Sequence, residues 1–181
     1  LWAIPAFISL LYPYLIKRVE NKKSYQFSFW WTISAVLLLS LIPEKKARYL
    51  VPALIPLAIN TGFYIHYLMA DFTKITAKKE TIPVYINFGL IAVISLSVPF
   101  ALFFLLKGGL EDHPISYALT SLATLIIGIL LIRNLYLKKF SKVFYLTILF
   151  VVSFAAFGLP LSNNLNENPE FKSIHALHQF E

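Results

Sequence analysis

The sequence predicts an all-α, polytopic integral membrane protein, a helical bundle of five full spans plus one partial span, on three observations. First, 58% of the 181 residues are hydrophobic and only 14% are charged. An ordinary soluble domain has roughly 45–50% and about 25%, and a chain of this length cannot hide such an excess in a water-soluble core. Second, five apolar stretches (25–42, 49–69, 84–106, 115–132 and 143–161) carry no Lys, Arg, Asp or Glu. Each approaches the ~20 residues that a helix needs to cross a bilayer at about 1.5 Å per residue. Third, their hydrophobicity shows neither the period of 2 of a barrel strand nor a polar stripe at the 3.6 spacing of a soluble helix. With a mean hydropathy of +0.69, a soluble enzyme and a disordered arm are both excluded.

The elements follow in order. Segment 1–16 is apolar but short, and Pro5 and Pro13 interrupt it, so it is the partial span. It opens Leu1-Trp2-Ala3-Ile4-Pro5 with no charged n-region, which is not a signal peptide. It reads as a cut through a hydrophobic segment, so further chain is expected before it. The five full spans then alternate with short links at 17–24, 43–48, 70–83, 107–114 and 133–142. A hydrophilic tail, 162–181, follows the membrane domain 1–161. In the tail Asn168-Pro169-Glu170 pairs a helix cap with a first-turn Pro and acid, predicting the start of a small external domain.

Short links make neighbouring spans antiparallel, so successive links fall on opposite faces. Of the 16 Lys and Arg residues, 11 lie in links 17–24, 70–83 and 133–142, and 5 on the other face. The positive-inside rule puts the 11 in the cytoplasm and the tail outside a plasma (inner) membrane. Most of the net charge of +7 is thereby explained as topology. Runs such as Lys17-Arg18 and Lys138-Lys139 are topology determinants that abut spans, and nucleic acid is not a partner.

Three of the 5 outward basic residues crowd into Pro43-Glu44-Lys45-Lys46-Ala47-Arg48. Arg presents a planar fork to phosphate oxygens and Lys a mobile point charge. The following helix would add its N-terminal N–H groups and positive dipole end, and Tyr49 a hydroxyl. Pro52 and Pro56 lack N–H groups and free the carbonyls of Arg48 and Pro52, an irregularity tolerated next to protein or a cavity. The plainer alternative is anchoring to lipid headgroups, at around 1 kcal/mol per basic residue. Anchoring does not explain concentration on the charge-poor face.

The string Lys45-Lys46-Ala47-Arg48-Tyr49-Leu50-Val51-Pro52, after the apolar Leu39-Ser40-Leu41-Ile42-Pro43, resembles the late transmembrane portion of bacterial family-39 glycosyltransferases. These are GT-C enzymes related to aminoarabinose lipid A transferase and protein O-mannosyltransferases. Their pattern is roughly Ser-x-x-Lys-x-x-Arg-Tyr-x-x-Pro, matched by Lys45, Arg48, Tyr49 and Pro52. Lys46 is an additional basic residue, and Pro43-Glu44 departs from the more usual Ser-Lys or Ser-Gly. The close match covers about ten residues, and the succession of spans and tail extends it loosely. The resemblance implies a transferase that takes a sugar from a polyprenyl-phosphate carrier at the outer face. Lys45, Lys46, Arg48 and Tyr49 would then contact the carrier phosphate and stabilise leaving-group charge. It places the family's catalytic carboxylate in an external loop near the N-terminus, in the missing earlier part of the chain. No residue of this segment is a catalytic candidate, and no cofactor is implied here.

Other chemistry is thinner. With no cysteine, disulfides and thiolate chemistry are excluded. Glu111-Asp112-His113 reads as a loop beside Gly108-Gly109 and Pro114. His175 and His178 have helical metal-pair spacing but no third ligand, so no metal site is expected. Asn60, about 16 Å into its helix, is expected to contact another helix. His66 with Tyr64 and Tyr67, and Trp30 with Trp31, are expected as interfacial aromatics. Two rival functions stand beside the transferase: a transporter or flippase subunit for a lipid-linked or anionic solute, and a non-catalytic membrane scaffold.

Overall fold

The computed structural model describes residues 2–41, 51–105 and 114–158. All secondary structure among them is helical. In chain order the helices are α1 (Ala3–Ser9), α2 (Tyr12–Leu15), α3 (Lys22–Ser40), α4 (Val51–Asp71), α5 (Lys78–Leu105), α6 (Pro114–Tyr136) and α7 (Phe140–Ser153), the last continuing as a π-helical turn, Phe154–Gly158.

Pro13 explains the break between α1 and α2. A continuous helix would need an N–H at position 13 to serve the Ser9 carbonyl, and proline has none. The chain instead turns at Leu11 (φ −75°, ψ 76°), where the Tyr12 N–H donates to Leu10 O at 2.9 Å. That is an inverse γ-turn. The vacated Ser9 carbonyl accepts from the Tyr25 hydroxyl at 2.8 Å, and Ser9 and Tyr25 are both wholly buried. The expected partial span is therefore two short helices pinned by α3.

Among the described residues four helices are long and apolar enough to cross a membrane: Val51–Asp71, Lys78–Phe104, Pro114–Tyr136 and Phe140–Gly158. Large apolar side chains such as Leu54, Leu90, Phe100, Phe103, Ile129 and Val152 are exposed on them. Water does not tolerate apolar surface on this scale, so the chain is membrane-embedded. The expected span 25–42 corresponds to α3, which falls short of those four in hydropathy. Its first turns carry Lys22, Lys23, Ser24, Gln26 and Ser28, Thr32 and Ser34 follow, and only from Ala35 to Leu39 is it continuously apolar.

The chain divides into two compact units, residues 1–89 with 134–141, and residues 90–133 with 142 onward. In the first, α3 and α4 pack antiparallel. Tyr25 meets Phe63 edge-on with centroids 5.8 Å apart, and further along Ser28 and Thr32 meet Asn60. Phe140 packs against Phe72 and Phe88, and Lys138, in the left-handed region at φ 53°, donates from Nζ to Ile75 O at 3.3 Å. Residues 17–24, 70–83 and 134–141 thus gather at one end of this unit.

In the second unit Ser95 Oγ donates to Thr124 O at 2.7 Å, and Tyr117 Oη to Pro99 O at 3.3 Å. Gly128 sits where a Cβ would lie 2.8 Å from Leu96 Cγ and 3.4 Å from Ala92 O. Helices in lipid associate through such close approaches. A Gly128→Leu variant is expected to push α5 and α6 apart and lose about 1–3 kcal/mol. Thermal unfolding in detergent measures the loss, and a wild-type melting temperature would show that the approach is slack.

Candidate functional site

Lys45, Lys46, Arg48 and Tyr49 lie outside the described residues, as do Glu111, Asp112, His113, His175 and His178. The flanking positions are described. α3 runs away from the link face and α4 runs back toward it, so Leu41 and Val51 stand at the helix ends remote from it.

The link face itself carries a charged cluster. Arg18 Nη2 meets Glu80 Oε1 at 2.6 Å, with the two side chains 28% and 18% exposed. Arg18 Nε donates to Tyr67 Oη at 3.3 Å and Nη1 to Tyr14 O at 2.8 Å. The guanidinium carbon lies 3.9 Å from the Tyr14 ring centroid and 5.9 Å from that of Tyr67, a stacked cation–π arrangement. Glu80 Oε2 accepts from Tyr14 Oη at 3.0 Å and Tyr67 Oη at 3.2 Å. One carboxylate thus ties together the end of α2, the far end of α4 and the first turn of α5. There its negative charge also suits the helix dipole. Burial opposes the Arg18 charge, but the Tyr67 hydrogen bond and the fields of Tyr14 and Glu80 outweigh it and raise the pKa above its ordinary value. The contribution of a group raised in this way is complete below its unfolded pKa and lost only as pH climbs through the folded one. For an arginine that leaves the Arg18 guanidinium charged at every working pH. Further out, Lys74 donates to Asp71 at 2.7 Å, an exposed pair of little energetic weight.

Tyr64 and Tyr67, expected as interfacial aromatics, are 1% and 9% exposed. Both rings are buried, and the Tyr67 hydroxyl reaches the charged cluster. A phenol with an apolar body and a polar tip suits such a junction as well as it suits a membrane surface. Trp30 and Trp31 do stand exposed on α3. Sequence reasoning passed over Glu80. Its signal was a lone acid in the first turn of α5, directly after Lys78-Lys79, in a link otherwise rich in positive charge.

Asn60 makes the expected contact between helices. It is wholly buried and donates from Nδ2 to Thr32 Oγ1 at 2.8 Å and Ser28 O at 3.3 Å, while Ser28 Oγ donates to its Oδ1 at 2.5 Å. Every polar atom of the amide is used, so the site is a structural knot. No group of three or more His, Asp or Glu residues that could hold a metal occurs among the described residues.

Comparison with protein-family models, curated proteins and solved structures finds no match to this chain.

Proposed function

We propose that the chain is the late transmembrane part of a membrane glycosyltransferase and supplies the pocket for the phosphate of a polyprenyl-linked sugar donor. The sugar passes to a lipid, glycan or protein acceptor at the outer face of the plasma (inner) membrane. Lys45, Lys46 and Arg48 bind phosphate oxygens and Tyr49 donates a hydroxyl. The observation that carries the proposal is the basic string itself, with its likeness to family-39 enzymes. The antiparallel packing of α3 on α4 supports it, because the string joins the two helix ends remote from Arg18 and Glu80. In this reading α3, at 19 residues, serves as a fifth span, about 28 Å long. The tail is external.

In the full-length protein a Lys45→Ala/Arg48→Ala variant is expected to lose carrier binding on the order of a hundredfold, from two charge-assisted hydrogen bonds of about 1.5 kcal/mol each. Equilibrium binding of polyprenyl phosphate and sugar-transfer rate are the two readouts. Wild-type values for both would reduce the turn to a headgroup anchor and favour the scaffold. Residues 1–181 contain no cysteine, so single-cysteine variants Glu44→Cys and Lys74→Cys of this segment report its topology. A membrane-impermeant maleimide should label the first on intact cells and the second only after permeabilisation. The reverse pattern would remove the argument.

A further inference from the structure

The link face holds a second feature that the carrier-phosphate proposal does not use. A groove of about 380 Å³ lies between α4 and the turn leading into α3, large enough for part of a lipid-sized ligand. Ile59, Gly62 and Phe63 form an apolar stretch of its wall, and Arg18, Asn21, His66 and Tyr67 a polar one; Val19 and Glu20 complete the lining. Along α4 the two stretches are separated by only one to two turns, with the polar residues nearer the link face. Apolar surface toward the membrane interior and polar groups toward its surface is the arrangement of a lipid molecule.

Two further observations sharpen the match. A Cβ built at Gly62 meets no atom within 4 Å. The glycine therefore serves no close approach between helices and leaves the groove open at that level. At the rim, the Arg18 guanidinium has five N–H donors, of which three are engaged among the described residues, by Tyr67, Tyr14 and Glu80. Charge supplies the sign. Segment 17–23 carries Lys17, Arg18, Lys22 and Lys23 against Glu20, so a surplus of positive charge remains after Glu80 has neutralised Arg18.

We propose that this groove binds one anionic glycerophospholipid from the leaflet on the link face. Its phosphate sits against Arg18 and His66, and an acyl chain lies over Gly62 between Ile59 and Phe63. Arg18, already fixed by Glu80 and the two tyrosines, presents its remaining N–H groups without further ordering, which favours binding.

The test is native mass spectrometry of the full chain in detergent, titrated separately with phosphatidylglycerol and phosphatidylcholine. The wild-type chain should retain phosphatidylglycerol at least tenfold more strongly. Gly62→Leu fills the groove from an open position with a better helix former. It should lose the retained lipid about tenfold while helical content by circular dichroism and melting temperature hold. His66→Gln, at the rim, should narrow the preference between the two lipids. Wild-type retention by Gly62→Leu would overturn the acyl-chain placement. Equal retention of the two lipids by the wild-type chain would overturn the anionic headgroup. Displacement of bound phosphatidylglycerol by millimolar inorganic phosphate would show a site for free anions and overturn the lipid assignment.

Discussion

A Glu80→Ala variant should lose roughly 2–3 kcal/mol of stability, the largest loss available from the link face. The figure lies between two regimes. Fully exposed ion pairs are worth about 1 kcal/mol or less, and removing one partner of a fully buried pair costs about 3–5 kcal/mol. The Arg18 and Glu80 side chains are 28% and 18% exposed, nearer the buried case but not within it. Three donors converge on this carboxylate, from Arg18, Tyr14 and Tyr67. Alanine strands all three, and the Arg18 charge remains stacked against Tyr14 without its counter-ion. Thermal unfolding in detergent measures the single variant, and a double-mutant cycle with Arg18→Gln isolates the pair. The double variant should be more stable than the sum of the single losses predicts, by about 1 kcal/mol or more. Additive losses would mean that the two charges stand side by side without coupling, and that aromatic packing alone holds α2, α4 and α5 together here.

That cluster shows where the limits of sequence reasoning fall. Hydropathy located the long helices because lipid demands continuous apolar length, but it measures membrane thickness and not the extent of helical hydrogen bonding. So α5 begins at Lys78, six residues before the apolar run at Val84, and α6 continues to Tyr136 past Arg133. Burial was less legible. On α5 the residues Val84, Phe88, Ile91, Ser95, Val98 and Leu102 are buried in a repeat close to 3.5, a seam typical of packed helices. Their lipid-facing neighbours Ile86, Leu90, Val93 and Phe100 are equally apolar, so no polar stripe betrays the seam. The exceptions are polar residues deep in a span, and Asn60 was legible for that reason. Arg18 and Glu80 are 62 positions apart, and each taken alone suits an ordinary link. Only the packing of α2 and α5 against the Tyr67 end of α4 brings them together.

At Asn60, replacement by Asp should be more damaging than replacement by Ala, an order that hydrogen bonding predicts and packing reverses. Asn and Asp have nearly the same shape, so a position that merely filled space would accept Asp and suffer from the cavity that Ala leaves. Here the Nδ2 atom donates to Thr32 Oγ1 at 2.8 Å and to the Ser28 carbonyl at 3.3 Å. An Asp oxygen in that place is an acceptor facing the Ser28 carbonyl, itself an acceptor, at a site with no exposure. Burying an uncompensated carboxylate is worth several kcal/mol against folding, enough to separate α3 from α4. With Ala the remaining groups can still be satisfied. Thr32 Oγ1 keeps its bond to Ser28 O at 2.8 Å, and Ser28 Oγ lies 3.1 Å from Tyr25 O and can donate there. What Ala forfeits is the contact between helices, on average about 0.6 and at most about 1.7 kcal/mol inside a membrane protein, plus a small cavity. The expected loss is thus about 1–2 kcal/mol for Asn60→Ala and clearly more for Asn60→Asp, read as melting temperatures of the two variants in the same detergent. If Asp proves the milder change, the amide acts by volume alone. The antiparallel register of α3 on α4, which sets Leu41 and Val51 at the end remote from Arg18 and Glu80, would then rest on its apolar contacts.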